Sequence, residues 1–128
     1  EPGKKPMSTM SPTIIFDKDD DLFLITGSPG GSDIPAAILR VITGVIDFEL
    51  DIGEATMLPR IHKDWPYTGL EHERALSRDT IRRLKSMGHK TEYETTIGST
   101  QSIHVVEGIN NGFADLRRPN AGVAVQTN

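Results

Sequence analysis

The chain has 128 residues, enough for one domain or a piece of one, and 36% of them are hydrophobic, which supplies a core and excludes the composition of a disordered chain. A net charge of −4, with both signs interspersed, excludes a basic surface that would recruit nucleic acid or anionic lipid. Without cysteine there is no disulfide, thiolate metal site or cysteine nucleophile, and no apolar run reaches the roughly 20 residues of a membrane span.

Residues 1 to 11 read as an irregular loop, because Pro2, Gly3 and Pro6 deny them regular structure. Thr13-Ile14-Ile15-Phe16 and Leu22-Phe23-Leu24-Ile25 are β-rich runs separated by the polar turn Asp17 to Asp21, and they predict an antiparallel hairpin. Their near-continuous apolarity predicts burial on both faces. Gly27-Ser28-Pro29-Gly30-Gly31-Ser32 follows directly, and a helix begins with Ser32 as N-cap and Pro35 in its first turn. Ile34, Ala37, Ile38, Val41, Ile42, Val45 and Ile46 recur at helical spacing, predicting a helix buried almost all round.

Asp51 and Glu54 resemble a capping box opening a short helix that stops before Pro59. Arg60 to Thr68 reads as a loop and Leu70 to Arg74 as a brief strand. Ser77 caps a third helix with Ile81, Leu84 and Met87 on one stripe and Gly88 as its stop. Thr91 to Thr96 and Gln101 to Val106 read as strands, Asn110-Asn111-Gly112 as a turn into Phe113-Ala114, and the chain after Arg117 as a tail. The fold class is therefore α+β.

The glycine-rich loop is the sharpest chemical signal. A strand, Gly-Ser-Pro-Gly-Gly-Ser and then a helix set unpaired N–H groups at a positive helix end. Such a nest binds a phosphate or a developing oxyanion; the same glycines also serve a tight strand-to-helix turn that binds nothing. The loop lacks the Gly-Lys-Ser/Thr of a P-loop and the G-x-G-x-x-G of a dinucleotide site. Asp17, Asp19 and Asp21 alternate like the start of an EF-hand, but Leu22 and Ser28 stand where that loop needs glycine and a carboxylate, so they read as a solvated turn. His62, His72, His89 and His104 show no metal-ligand spacing and read as structural, so no metal site is expected. No G-x-S-x-G elbow or S-x-x-K pair supplies a nucleophile.

The segment Pro2-Gly3-Lys4-Lys5-Pro6-Met7-Ser8-Thr9-Met10-Ser11-Pro12-Thr13 is similar to the P-G-K-R-P-L-S-S-M-S-P-T segment of gamma-glutamyltranspeptidases. Gly27 to Ser32 resembles the family's glycine loop at matching spacing. Glu54-Ala55 with Pro59-Arg60-Ile61-His62, Gly88-His89, Gly98-Ser99-Thr100-Gln101-Ser102, and Ala114-Asp115 with Arg117-Arg118 also follow in family order. The resemblance covers essentially the whole chain.

This resemblance implies part of an αββα-layered N-terminal nucleophile (Ntn) hydrolase fold, in a precursor that cleaves itself into large and small subunits. It implies that residues 1–128 are the C-terminal portion of the small subunit. The parent activity would be transfer of the gamma-glutamyl group of glutathione or related amides to amino acids, peptides or water. An N-terminal threonine would attack, needing no metal or organic cofactor because its own α-amino group can serve as base. By the same resemblance, Ser8 and Thr9 correspond to the serine pair that holds the donor's α-carboxylate, and Gly30 and Gly31 to the oxyanion-hole glycines. Thr9 departs from the usual second serine and Leu116 from the usual proline of the Ala-Asp-Pro-Arg block. The threonine nucleophile is expected outside residues 1–128, which alone would be inactive. The expected partners are a gamma-glutamyl substrate, the large subunit and the remaining N-terminal part of the small subunit, with self-association through a sheet edge and an apolar helix face they would leave bare. Family resemblance implies a periplasmic or extracellular location. The same pieces are compatible with a cephalosporin or glutaryl acylase, a poly-gamma-glutamate depolymerase, or a scaffold lacking a nucleophile.

Overall fold

The computed structural model describes residues 1–5, 9–66 and 69–125. The elements in chain order are β1 (Thr13–Phe16), β2 (Leu22–Gly27), a 3-10 turn (Gly31–Asp33), α1 (Ile34–Ile46), α2 (Ile52–Met57), β3 (Ile61–His62), β4 (Gly69–His72), α3 (Arg78–Ser86), β5 (Lys90–Tyr93), β6 (Gln101–Val106) and β7 (Ile109–Ala114). They form an α+β fold with a four-stranded sheet of order β1-β2-β6-β7 and a three-stranded sheet of order β3-β4-β5. The first sheet is antiparallel throughout. In the second, β4 and β5 run parallel, as α3 between them requires.

The core lies between the first sheet and the α1–α2 pair. Leu24, Val41, Val45, Ile52 and Ala55 form its buried centre, flanked by Ile15, Phe23, Ile42, Leu50 and Phe113. Fully burying a side chain such as Leu24 or Val41 stabilises by about 1.5–3 kcal/mol. Where the two helices approach, a Cβ on Gly44 would stand 2.8 Å from that of Ala55, so only glycine permits this separation.

The first hairpin forms as expected, and its acidic tip is a turn. Asp17 Oδ1 accepts from the N–H of Asp19 at 2.9 Å and of Asp21 at 3.0 Å, and Asp20 takes the left-handed conformation at φ 64°. Burial on both faces does not hold: β1 alternates, with Ile14 and Phe16 exposed, because helices cover only one face of this sheet. Helix α1 likewise departs from burial all round, since Leu39 and Ile46 are exposed opposite the face bearing Ile34, Ala37, Ile38, Val41 and Val45. Nor does Ser32 cap it. The loop first closes the 3-10 turn, and α1 starts at Ile34 after Asp33 with no side-chain cap.

Asp51 accepts from the Glu54 N–H at 2.8 Å and Ser77 from the Thr80 N–H at 3.1 Å, so both expected caps are formed. The stripe on α3 is shallower than its spacing implies, with no residue of the helix buried and Met87 exposed after it. Residues Ile61 and His62, read as loop, pair with Glu71 and His72 of β4 as the short strand β3. The expected turn at Asn110-Asn111-Gly112 is instead part of β7. The reversal occurs at Glu107 and Gly108, with φ 51° and 76°, because a two-residue hairpin loop needs positive φ at both central positions.

Candidate active site

The glycine loop connects β2 to α1 and is held from both sides. Gly30 adopts φ 144°, and a Cβ there would stand 3.2 Å from Gly98 Cα and 3.3 Å from Asp33 Cβ. Gly98, at φ 66°, leaves equally little room, since its Cβ would stand 2.6 Å from that of Ala37. Ser28 Oγ accepts from the Ser99 N–H at 2.9 Å and donates to the Pro29 carbonyl at 2.7 Å, and the Asp33 N–H closes onto the Gly30 carbonyl at 3.1 Å. Among the described residues, no carbonyl takes the N–H of Gly30 or Gly31. The hydroxyl of Thr9 donates to the Gly31 carbonyl, which joins the N-terminal loop to the glycine pair across 22 positions of sequence. Thus Thr9, Gly30 and Gly31 meet at one place, while Ser8 lies outside the described residues.

The segment Ile97–Thr100 that backs this loop is itself anchored by buried charges. Arg60 and Asp115, both with fully buried side chains, pair at 2.8 Å. Arg60 Nη1 also donates to the Ile97 carbonyl at 2.9 Å, and Nη2 to the Thr56 carbonyl at 3.0 Å and Thr100 Oγ1 at 3.1 Å. Asp115 Oδ2 accepts from the Thr100 N–H at 2.9 Å, and its Oδ1 from the Arg117 N–H at 3.0 Å. Arg117 forks onto Glu73 with Nε to Oε1 at 2.6 Å and Nη2 to Oε2 at 2.7 Å. Glu73 further accepts from the N–H groups of Arg60 at 3.0 Å and Ile97 at 3.1 Å.

Burial pushes the Glu73 carboxyl up, but hydrogen bonds from Arg117, Arg60 and Ile97 outweigh it and hold the group below the usual carboxylate range. Asp115 follows the same pattern: burial opposes, and the Arg117 N–H, the Arg60 charge and the Thr100 N–H prevail. Burial and the neighbouring Arg117 lower Arg60, whereas for Arg117 burial is overcome by Glu73 and Asp115 and the guanidinium is held above its ordinary value.

On the other side of the loop, Asp33, His62, Asp64 and Glu71 converge. His62 Nε2 lies 3.7 Å from Asp33 Oδ1 and 3.0 Å from Asp64 Oδ1. Burial raises the Asp33 carboxyl, with His62 opposing and Asp64 and Glu94 adding to the rise. Burial also raises Glu71, again against His62. Asp64 is lowered by a hydrogen bond with Ser32. The other histidines are accounted for locally. His104 packs edge-on against Phe23 at 4.7 Å and is lowered by burial, His72 Nδ1 meets the Glu73 carbonyl at 3.2 Å, and the His89 N–H closes the end of α3 on the Leu84 carbonyl at 3.1 Å.

The profile of the gamma-glutamyltranspeptidase family matches residues 1–125. The chain belongs to the gamma-glutamyltranspeptidase family. It is 44% identical over 104 residues to the glutathione hydrolase proenzyme of Escherichia coli (strain K12), covering 81% of this chain and 18% of that protein. Against the glutathione hydrolase proenzyme of Bacillus subtilis (strain 168) it is 34% identical over 128 residues, covering 98% of this chain and 22% of the relative. A crystal structure of a Helicobacter pylori gamma-glutamyltranspeptidase mutant superposes with a TM-score of 0.86 at 36% identity, over 92% of this chain and 66% of that one. The chain thus spans about a fifth of the length of these curated relatives. Its fold is that of the matching part of an Ntn-hydrolase gamma-glutamyltranspeptidase. No helix of the described residues is long and apolar enough to cross a membrane.

Of the residues that the sequence singles out, the structure brings Thr9, Gly30 and Gly31 together. Pro59-Arg60, Ala114-Asp115 and Arg117 stand out in the sequence only as blocks of resemblance, although arginine and carboxylate beside apolar strands are a signal for buried pairing. His62 shows no ligand spacing in the sequence because Asp33 and Glu71 come from two other elements, the 3-10 turn and β4.

Proposed function

We propose that the chain is the C-terminal part of the small subunit of an enzyme that transfers the gamma-glutamyl group of glutathione or a related amide to amino acids, peptides or water. The threonine nucleophile belongs to another part of the protein, so residues 1–128 alone carry no activity. The observation that carries this reading is the Thr9 hydroxyl on the Gly31 carbonyl, which sets the donor-carboxylate loop beside the glycine pair.

In this reading Ser8 and Thr9 receive the α-carboxylate of the donor, the Thr9 hydroxyl exchanging the Gly31 carbonyl for the carboxylate when the donor binds. The threonine Oγ attacks the gamma-carbonyl carbon, and the carbonyl electron pair moves to oxygen. The threonine's own α-amino group takes the hydroxyl proton, the N–H groups of Gly30 and Gly31 receive the oxyanion, and collapse returns that proton to the leaving amine and leaves a gamma-glutamyl ester. Water or an acceptor amine then releases the glutamyl group. The close packing of Gly30 against Gly98 supports a preset donor pair, because such donors need no rearrangement when charge develops.

The large subunit and the rest of the small subunit complete the site. Exposed Ile14 and Phe16 on β1 and Leu39 and Ile46 on α1 offer the apolar surface they would cover, and the fragment by itself would self-associate there. The location proposed, from family membership, is periplasmic or extracellular.

The test is release of the aniline from a gamma-glutamyl anilide by the full-length protein, with and without a dipeptide acceptor. Release that rises with acceptor supports the transferase; no release from correctly processed protein refutes the assignment. Gly30→Ala keeps the N–H but sets a Cβ 3.2 Å from Gly98 Cα at φ 144°, and the displaced donor should lower kcat by up to about 10²–10³, the loss of one oxyanion donor.

A further inference from the structure

The cluster on the far side of the glycine loop has the composition of a metal site. His62 and Glu71 are directly opposed residues of β3 and β4, so their side chains rise from one face of the second sheet. Asp33 ends the 3-10 turn that follows Gly30, and it meets them from the other side. One ligand atom from each of Asp33, His62 and Glu71 lies within 4.8 Å of the others. Asp64 Oδ1 adds a further carboxylate at 3.0 Å from the imidazole.

A second observation points to a missing ligand. The His62 side chain retains only 10% of its exposure, and Nε2 is buried without a hydrogen-bond partner. Asp64 Oδ1 lies 3.0 Å from that nitrogen, and Ser32 and then His62 draw the Asp64 carboxyl down, but the contact with His62 is an ion pair off the hydrogen-bond axis. A desolvated ring nitrogen whose nearest acceptors, Asp64 Oδ1 at 3.0 Å and Asp33 Oδ1 at 3.7 Å, are both carboxylates without an aligned hydrogen bond has the surroundings of a metal ligand.

We propose that Asp33, His62 and Glu71, with Asp64 beside them, bind a divalent cation of the zinc class and so clamp the glycine loop to the second sheet. The donor set selects among metals. Calcium and magnesium take oxygen shells, whereas one imidazole with carboxylates suits zinc and its borderline neighbours. Zinc bonds of about 2.0–2.2 Å need the ligand atoms closer together than the open cluster holds them, a change within reach of side-chain rotation. The cation would offset the charge of the converging carboxylates and fill the open coordination of Nε2. It would not touch the reacting carbonyl; its effect is to fix Asp33 and hence the turn carrying Gly31.

The test uses full-length protein stripped with a chelator and titrated with zinc chloride against a chromophoric competitor. One equivalent bound with a micromolar or tighter Kd is expected, weakened at least tenfold by Glu71→Gln and by His62→Gln. With cobalt(II) in place of zinc, visible d–d absorption should appear in the parent and be lost in the His62→Gln variant. Glu71→Gln preserves side-chain shape at a half-exposed position, so a folding defect of His62→Gln would not blunt the comparison. Binding weaker than about 100 μM, or stoichiometry and affinity unchanged in both variants, would overturn the proposal.

Discussion

Asp115→Asn isolates the buried charge network. The two arginines and two carboxylates of Arg60, Glu73, Asp115 and Arg117 balance, and the substitution removes one negative charge while Arg60 remains enclosed with a side chain at 0% exposure. Asp115 accepts from Arg60 Nη2 at 2.8 Å, the Thr100 N–H at 2.9 Å, the Arg117 N–H at 3.0 Å and Arg117 Nη1 at 3.1 Å. An asparagine offers one acceptor oxygen and turns an NH2 toward the remaining donors, so buried donors go unpaired at about 1–3 kcal/mol each. Breaking one partner of a buried ion pair costs about 3–5 kcal/mol, which agrees. The assay is hydrogen exchange followed by mass spectrometry on peptides spanning 97–101 and 113–118 of the full-length protein. Exchange there should accelerate by roughly two to more than three orders of magnitude, since each 1.4 kcal/mol is about tenfold. A second variant, Arg60→Met combined with Asp115→Leu, should lose less, because it buries no uncompensated charge. Acceleration below about tenfold in the single variant, or a greater loss in the double variant, would refute this reasoning.

The same network should answer to acid. Glu73 and Asp115 are held below their ordinary values in the folded chain, so their contribution is fully present above about pH 5 and is lost as pH falls through the folded pKa values, below the ordinary carboxylate range of about 4. Exchange at 97–101 measured against pH, corrected for intrinsic rates, should show that loss, and Asp115→Asn should flatten it. Gly98→Ala should destabilise by about 2–5 kcal/mol, because it combines a left-handed alanine with overlap against Ala37. Gly108→Ala, at φ 76° with nothing near its Cβ, should cost only the conformational part, about 1–2 kcal/mol; denaturant titration of the full-length protein measures both glycine variants. Ser77→Ala removes the acceptor of the Thr80 N–H and should destabilise α3 by about 1 kcal/mol, read as faster exchange confined to peptides within 78–86.

Local chemistry made much of the fold readable in the sequence. The first hairpin, the caps at Asp51 and Ser77 and the stop at Gly88 depend on residues a few positions apart, so their physics is written in short windows. The reversal at Glu107-Gly108 was missed because Asn110-Asn111-Gly112 carries the stronger turn chemistry, yet its register pairs it with Ile103, His104 and Val105. Gly30 and Gly31 stand out by loop chemistry and by resemblance, Thr9 by resemblance alone. What the sequence alone determined, then, was the alternation of elements and the identity of a glycine loop ahead of an apolar helix. Tertiary structure alone decided which faces are covered, that Gly98 lies against Gly30, that Asp115 meets Arg60, and that His62 faces Asp33 and Glu71. Each of these joins elements far apart in the chain, and a side chain's burial, charge state and free valence are set by neighbours that no local spacing reveals.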